Sequence, residues 1–254
     1  MNKSSNLSSV ENALKILESF TVDDTEKRVT QIANDLGLAK STVSRLLKTL
    51  LNQGYVKKSP DTQKYSLGNK VLTLYSALMS KMEIVKEAHP FLEALAKETS
   101  ESVQLAELDN DKVIYMEQIK SSFPIQIFAH IGRVNPVHCT SSGKLLLAHQ
   151  DFQTIENILS NGLEKFTPYT ITDENKLKKE LLEIRDLGYC YIENEFIDGI
   201  VSIAAPIRDY NKNVVAAVSL VGPIQRINGA KAQKYINRVV ETAKDISYSM
   251  GYMY

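Results

Sequence analysis

Cysteines, net charge and long apolar runs are all scarce in this chain, and each scarcity excludes something. The 254 residues include two cysteines, Cys139 and Cys190, too few for a disulfide framework. No apolar run approaches the ~18 residues that a membrane span needs. Val214 to Val221 is one of the longer stretches and reads as a buried strand. The opening residues Met1-Asn2-Lys3-Ser4-Ser5 carry a single charge with no apolar segment behind it, so no secretory signal is expected. These features predict a cytoplasmic chain with reduced thiols and no membrane partner. Lys plus Arg total 30 and Asp plus Glu total 30, so the net charge is zero; taken whole, that balance argues against a polyanionic partner. Apolar residues are plentiful, at 43% of the chain, enough to fill one large or two ordinary domains.

The zero is a sum of unlike parts. Residues 1–67 hold 10 Lys/Arg against 7 Asp/Glu, and residues 68–254 hold 20 against 23. Leu36 to Pro60 contains Lys40, Arg45, Lys48, Lys57 and Lys58 and no acid. A basic stretch without acids inside a neutral chain points at a polyanion, although on charge alone a solvated helix face is the better explanation.

Spacing in the same region is more specific. Ser8-Ser9-Val10-Glu11 has the form of a capping box with Ser8 as N-cap, and Val10, Ala13, Leu14, Leu17 and Phe20 follow at helical spacing. Asp23-Asp24-Thr25-Glu26 reads as a polar loop, after which Thr30 can cap a short helix over 31–36. Ala33 is the small residue that steeply crossing helices need, and Gly37 suits a turn with positive φ. Ile32, Leu36, Leu38, Val43 and Leu46 supply the apolar contacts of a helix-turn-helix. The second helix, about 39–53, turns Lys40, Ser41, Thr42, Ser44, Arg45, Lys48 and Thr49 outward. Hydroxyls at a helix start, followed by long cations, suit a helix that enters a major groove. Period-two runs at 55–58 and 63–67 flank the turn Ser59-Pro60-Asp61-Thr62, predicting a β-hairpin wing that lays Lys57, Lys58 and Lys64 along the phosphates. The expected DNA contacts are these cations and hydroxyls, with Thr30 at the start of the preceding helix.

Downstream, residues 69–82 read as one helix with Val71, Leu72, Tyr75, Leu78 and Met79 on a stripe, and 84–98 as another with Pro90 as a kink or break. The stripe serves a lever, a dimer contact or an internal core equally well. Strands are expected at 102–108, 112–118, 125–128, 189–192, 200–207 and 214–221. Helices are expected near 151–160, 173–187 and 230–250. Hairpins with helices grouped between them indicate an α+β domain on an antiparallel sheet. Three parts result: 1–68 as the winged helix-turn-helix, 69–84 as linker helix, 85–254 as the second domain.

Pro136 to Ala148 concentrates polar groups ahead of an apolar helix. Thr140, Ser141 or Ser142 can cap that helix, and its free amides and dipole can hold a small anion without a dedicated arginine. A plain N-cap is the competing explanation.

The chain resembles the bacterial transcription regulators of the isocitrate-lyase-regulator (IclR) type over essentially its whole length. Leu38 to Leu47 resembles the family's recognition helix, Gly54-Tyr55-Val56 the start of its wing, and Pro136 to Ala148 its signature stretch, with His138, Gly143, Lys144, Leu147 and Ala148 in place. Gly188-Tyr189, Glu195, Gly199, Ile203 to Pro206, Ser219 and Gly222-Pro223 resemble its closing strands. The resemblance implies a GAF-like effector-binding domain, dimers through the heads often paired into tetramers, and a small organic acid or aromatic effector; two such heads in successive major grooves would read a palindromic operator. Its pocket groups fall on Ser141, Ser142, Ser202 and Ser219, with Glu193 and Glu195 in an acidic loop; the expected effector set is His138, Cys139, Ser141, Ser142, Gly143, Glu193, Ser202 and Ser219. Ile192 departs from an aspartate that many members carry, with Glu193 or Asp198 as substitutes, and Val221 departs from a strand hydroxyl.

Other function classes find little support. Adjacent His138 and Cys139 on an extended segment face opposite ways and form no dyad, so no GAF-like enzyme is expected. Two cysteines and four histidines show no metal-ligand spacing, so neither metal nor cofactor is expected. A redox-sensing Cys139 beside the helix dipole is the alternative regulatory mode.

Overall fold

The computed structural model describes residues 7–79, 83–123 and 131–253, and the chain divides into two compact units, Met1–Met82 and Glu83–Tyr254. Among the described residues no helix is long and apolar enough to cross a membrane.

The first unit runs α1 (Ser8–Glu18), α2 (Val29–Asp35), α3 (Lys40–Asn52), β1 (Val56–Lys58), β2 (Tyr65–Leu67) and α4 (Lys70–Met79). Ile16, Phe20, Ile32, Ala33, Val43, Leu47, Leu50, Val56 and Tyr65 form its core. Gly37 takes φ 63° in the α2–α3 turn, a conformation that glycine enters without steric cost. The hairpin pairs Val56 with Leu67 and Lys58 with Tyr65.

Three local expectations need correcting. Leu7, not Ser8, is the N-cap of α1, with no side-chain cap; Val10 and Glu11 donate to the Leu7 carbonyl. The buried stripe therefore centres on Ile16, while Val10 and Leu14 are exposed. Arg28, not Thr30, precedes α2 as its cap, and Thr30 lies within the helix. The loop before α2 does more than turn: Lys27 bridges Tyr65 through two backbone hydrogen bonds of 2.8 Å, widening the wing by one residue. Its buried ammonium meets Asp24 at 3.1 Å and Asp35 at 3.0 Å.

The second unit runs α5 (Glu83–Thr99), β3 (Ser102–Asp109), β4 (Lys112–Ile119), β5 (Val134–Pro136), α6 (Ser141–Ala148), α7 (Phe152–Leu159), α8 (Glu174–Leu187), β6 (Cys190–Glu193), β7 (Ile200–Arg208), β8 (Val214–Pro223) and α9 (Gly229–Ser249). One antiparallel sheet carries the order β5-β4-β3-β8-β7-β6. Strand pleating sorts the side chains. Cys190, Ile192, Ala204 and Ala217 join the core formed with α6 and α8. Val201, Ile203, Ala205 and Ile207 alternate with that set and are buried toward the other face, where α9 packs on β7 and β8 and α5 packs on α9, β3 and β4.

Pro90 neither breaks nor ends α5, which continues from Glu83 to Thr99. The short strand β5 was not anticipated, and the strand expected over 125–128 lies outside the described residues. So do residues 80–82 of the expected linker helix; within α4, Leu72, Leu74 and Tyr75 are exposed.

Candidate functional site

Two places in the chain gather functional chemistry, one in each unit. In the first, α3 buries Val43, Leu47 and Leu50. Lys40, Ser41, Ser44, Arg45, Lys48 and Thr49 are exposed and Thr42 half-buried on the remaining surface. No acid lies within α3. Lys58 stacks its ammonium 5.5 Å above the Tyr65 ring, so the wing holds that charge at a set place. Lys57 takes the opposite face of the hairpin, lining shallow grooves with Gly68 to Thr73 and with Phe20 to Glu26. Lys64 is half-buried beside Tyr65, and Thr30 is exposed.

In the second unit a small cavity lies beside the start of α6 and over one face of the sheet. Cross-strand register builds its floor: Ser202 pairs with Ile192 on one side and Val221 on the other, and all three line the space. Gln104, Tyr115, Arg133, Asn135, Cys139 and Thr140 form further walls, with Glu195 to Ile197 and Ile200 above. The 194–200 loop is pinned from outside: Thr167 Oγ1 donates to the Asn194 carbonyl at 2.6 Å and Thr170 Oγ1 to that of Glu195 at 2.6 Å.

The helix start is organised by Thr140. Its hydroxyl donates to the Pro136 carbonyl at 2.8 Å and accepts the Gly143 amide at 3.2 Å, which makes it the cap among the three candidates. Ser141 Oγ and Ser202 Oγ are hydrogen-bonded at 2.5 Å, joining helix to sheet. Lys144, fully buried, places Nζ 2.7 Å from Glu180 and 2.5 Å from Glu195.

The expected effector residues separate on this geometry. Cys139 and Ser202 line the cavity, and Ser141 touches it through Ser202. His138 does not: it faces a separate groove with Lys112 and Asn161, and its Nε2 lies 2.8 Å from the Glu164 carbonyl. Its neighbour Cys139 lines the cavity instead, although residues 137–140 are bend and turn rather than the extended segment expected. Ser142 Oγ is buried without a hydrogen-bond partner among the described residues and does not line the cavity. Gly143 supplies closeness rather than contact: a Cβ there would meet the Val137 carbonyl at 2.4 Å. Ser219 is the cross-strand partner of Gln104, its hydroxyl 3.5 Å from Oε1. Glu193 is exposed and hydrogen-bonded by the Tyr191 hydroxyl, on the opposite side of β6 from Ile192. Asp198 is exposed as well; Glu195 is the acid that reaches the cavity.

Electrostatics follow burial. Desolvation pushes the Cys139 thiol up to about 12, so it is protonated near neutrality and lacks the thiolate that oxidation and nucleophilic attack require. Burial also raises the Glu195 carboxyl, against the pull of Lys144, and lowers His138. Gln104, Tyr115, Arg133 and Asn135 were not identified from sequence. They come from three strands and a loop, and only the pairing of β3, β4 and β5 brings them together.

Comparison with known proteins agrees with both halves. Residues 9–60 match the family profile described as the IclR helix-turn-helix domain, and residues 76–248 match that described as the bacterial transcriptional regulator IclR C-terminal domain. The chain is 32% identical over 248 residues to the HTH-type transcriptional regulator XynR of Escherichia coli K12, covering 97% of this chain and 98% of that one. It is 29% identical to the transcriptional repressor IclR of the same organism, covering 96% and 90%. Among solved structures, an IclR homologue from Microbacterium hydrocarbonoxydans complexed with 4-hydroxybenzoate superposes with TM-score 0.84 at 28% identity, over 95% of this chain and 98% of that one.

Proposed function

Because the chain belongs to the IclR family of bacterial transcriptional regulators, we propose that it is a cytoplasmic, metabolite-controlled repressor that needs neither a metal nor a cofactor. Residues 1–68 bind operator DNA, 69–84 serve as the linker, and 85–254 bind a small anionic effector. Two or four copies assemble so that a pair of α3 helices enters successive major grooves of a palindromic site. The observation that carries the reading is the solvent face of α3, where cations and hydroxyls stand together without an acid.

The division of labour follows from chemistry. Ser41, Thr42, Ser44 and Thr49 are short donors for phosphate oxygens, and Lys40, Arg45 and Lys48 reach base edges or phosphates. Lys58 and Lys64 on the wing, with Lys57 behind them, add charge that fixes register without reading sequence. Effector binding shifts the linker and changes the separation of the two heads, which couples the sites. His138 and Cys139 face different spaces, which argues against a catalytic dyad between them. The raised thiol disfavours a redox switch.

A gel shift on DNA upstream of the protein's own and neighbouring genes tests the reading. Arg45→Ala is expected to cost about 1–3 kcal/mol of operator binding and to relax sequence preference. Lys58→Ala is expected to weaken all sequences alike and reduce the salt slope by about 1. Filling the cavity with Val221→Phe is expected to abolish effector response while leaving operator binding intact. Operator affinity unchanged in both cation variants would remove the head assignment.

A further inference from the structure

We propose that Arg133, oriented through Asn135 and assisted by the Tyr115 hydroxyl, is the carboxylate-recognising wall of the cavity, so that the anionic end of the effector lies against β4 and β5 rather than on the first turn of α6. This rests on the reading that the cavity holds the effector.

The side chains at the start of α6 are poorly placed for an anion, leaving only backbone amides and the helix dipole to attract one. The Thr140 hydroxyl is engaged on both sides, by Pro136 and Gly143, and Ser141 is engaged by Ser202. Ser142 does not face the space. Lys144, the cation of that turn, is shared by Glu180 and Glu195. With both carboxylates ionised the cluster carries one net negative charge, and Glu195 brings it to the cavity wall. A carboxylate placed there is repelled, the more so because the surroundings are buried.

The opposite wall has the complementary chemistry, and its hydrogen-bond directions are forced. Arg133 Nε can only donate, and it donates to Asn135 Oδ1 at 3.2 Å. That sets the amide: Asn135 Nδ2 must face the Tyr115 oxygen, which it approaches at 3.4 Å as donor. The Tyr115 oxygen is therefore an acceptor in this bond, and its own O–H hydrogen remains to be donated. Burial raises the phenol further above neutrality, so that hydrogen stays in place. Tyr115 is 5% exposed and Arg133 half-buried, and both line the cavity. A guanidinium and an oriented hydroxyl on one wall match the oxygens of a carboxylate. Ile192, Ile200 and Val221 across the space suit a compact apolar body.

Calorimetric titration of the full-length protein with matched probes tests this. The pairs are benzoate with benzamide and propanoate with propanamide, equal in shape and unequal in charge. At least one carboxylate is expected to bind the wild type roughly tenfold or more tighter than its amide. Arg133→Gln is expected to remove that preference by weakening the carboxylate and leaving the amide within about twofold. Arg133→Lys restores part of it, and Tyr115→Phe weakens the carboxylate several-fold. Circular dichroism and a thermal melt of each variant check that the second unit is folded. A wild type that binds acid and amide alike, or neither, overturns the proposal, as does full carboxylate affinity in Arg133→Gln. Val221→Phe separates the two levels: if it still binds the probes, they sit elsewhere and the cavity reading fails first.

Discussion

Lys144 has no exposed surface, yet its ammonium holds two carboxylates, Glu180 from α8 and Glu195 from the cavity loop. Such a group gives little net stability while intact, but removing one partner strands buried charge, so it ties three segments into one arrangement. The histidines are the residues whose charge changes near neutrality. Burial lowers His138 and His149, so the unfolded chain takes up protons on acidification that the folded chain refuses. Their effect is to withdraw stability as pH falls through 6.5 toward their folded values. His89 has the opposite sign: its hydrogen bond to Glu117 raises it, so its contribution is full below 6.5 and lost as pH rises through its folded value. Urea unfolding at about pH 7.5 and about pH 5.5 is expected to show His138→Gln and His149→Gln with a shallower loss on acidification than wild type, and His89→Gln with a steeper one.

Among the elements, two glycines in two turns illustrate different constraints. Gly37 has open space around a hypothetical Cβ, but its φ of 63° is costly for other residues. Gly143 has ordinary helical geometry, but a Cβ would meet Val137 Cα at 2.5 Å and Thr140 Oγ1 at 2.5 Å. Gly37→Ala is expected to cost roughly 1–2 kcal/mol through backbone strain, and Gly143→Ala about 1–3 kcal/mol through overpacking, both read by denaturant melts. Only the second is expected to alter probe binding in the cavity, because the displaced turn carries Cys139 and Thr140. These contrasts bear on what sequence reveals. The helix-turn-helix was legible because Ala33, Gly37, Val43 and their neighbours lie within one short window, where spacing alone specifies contact. The helix caps were less so, since Ser8 and Thr30 are good caps wherever the chain happens to turn, and it turned a residue or two earlier. The cavity was half legible. Ser202 and Cys139 belong to recognisable stretches, whereas Asn135 meets Tyr115 only through the pairing of Val113 with Asn135 across β4 and β5. A three-residue strand containing a proline gives no periodic signal from which to infer that pairing.

Over the molecule as a whole, each unit has its own hydrophobic core, and the zero net charge is the sum of a basic head and an acidic body. The cysteines divide unequally: both Cys139 and Cys190 belong to the second unit and are buried, and the first unit has none. Burial raises both thiols, Cys139 to about 12, so neither presents a thiolate to reagent in the closed protein. Covalent labelling must then wait for the second unit to open locally around each thiol, and each rate counts openings of that unit alone. The native chain thus contains a clock for its own breathing. Because Cys139 lines the cavity, a bound effector is expected to slow that thiol more than Cys190, which a mass-resolved labelling time course would read without any engineered reporter.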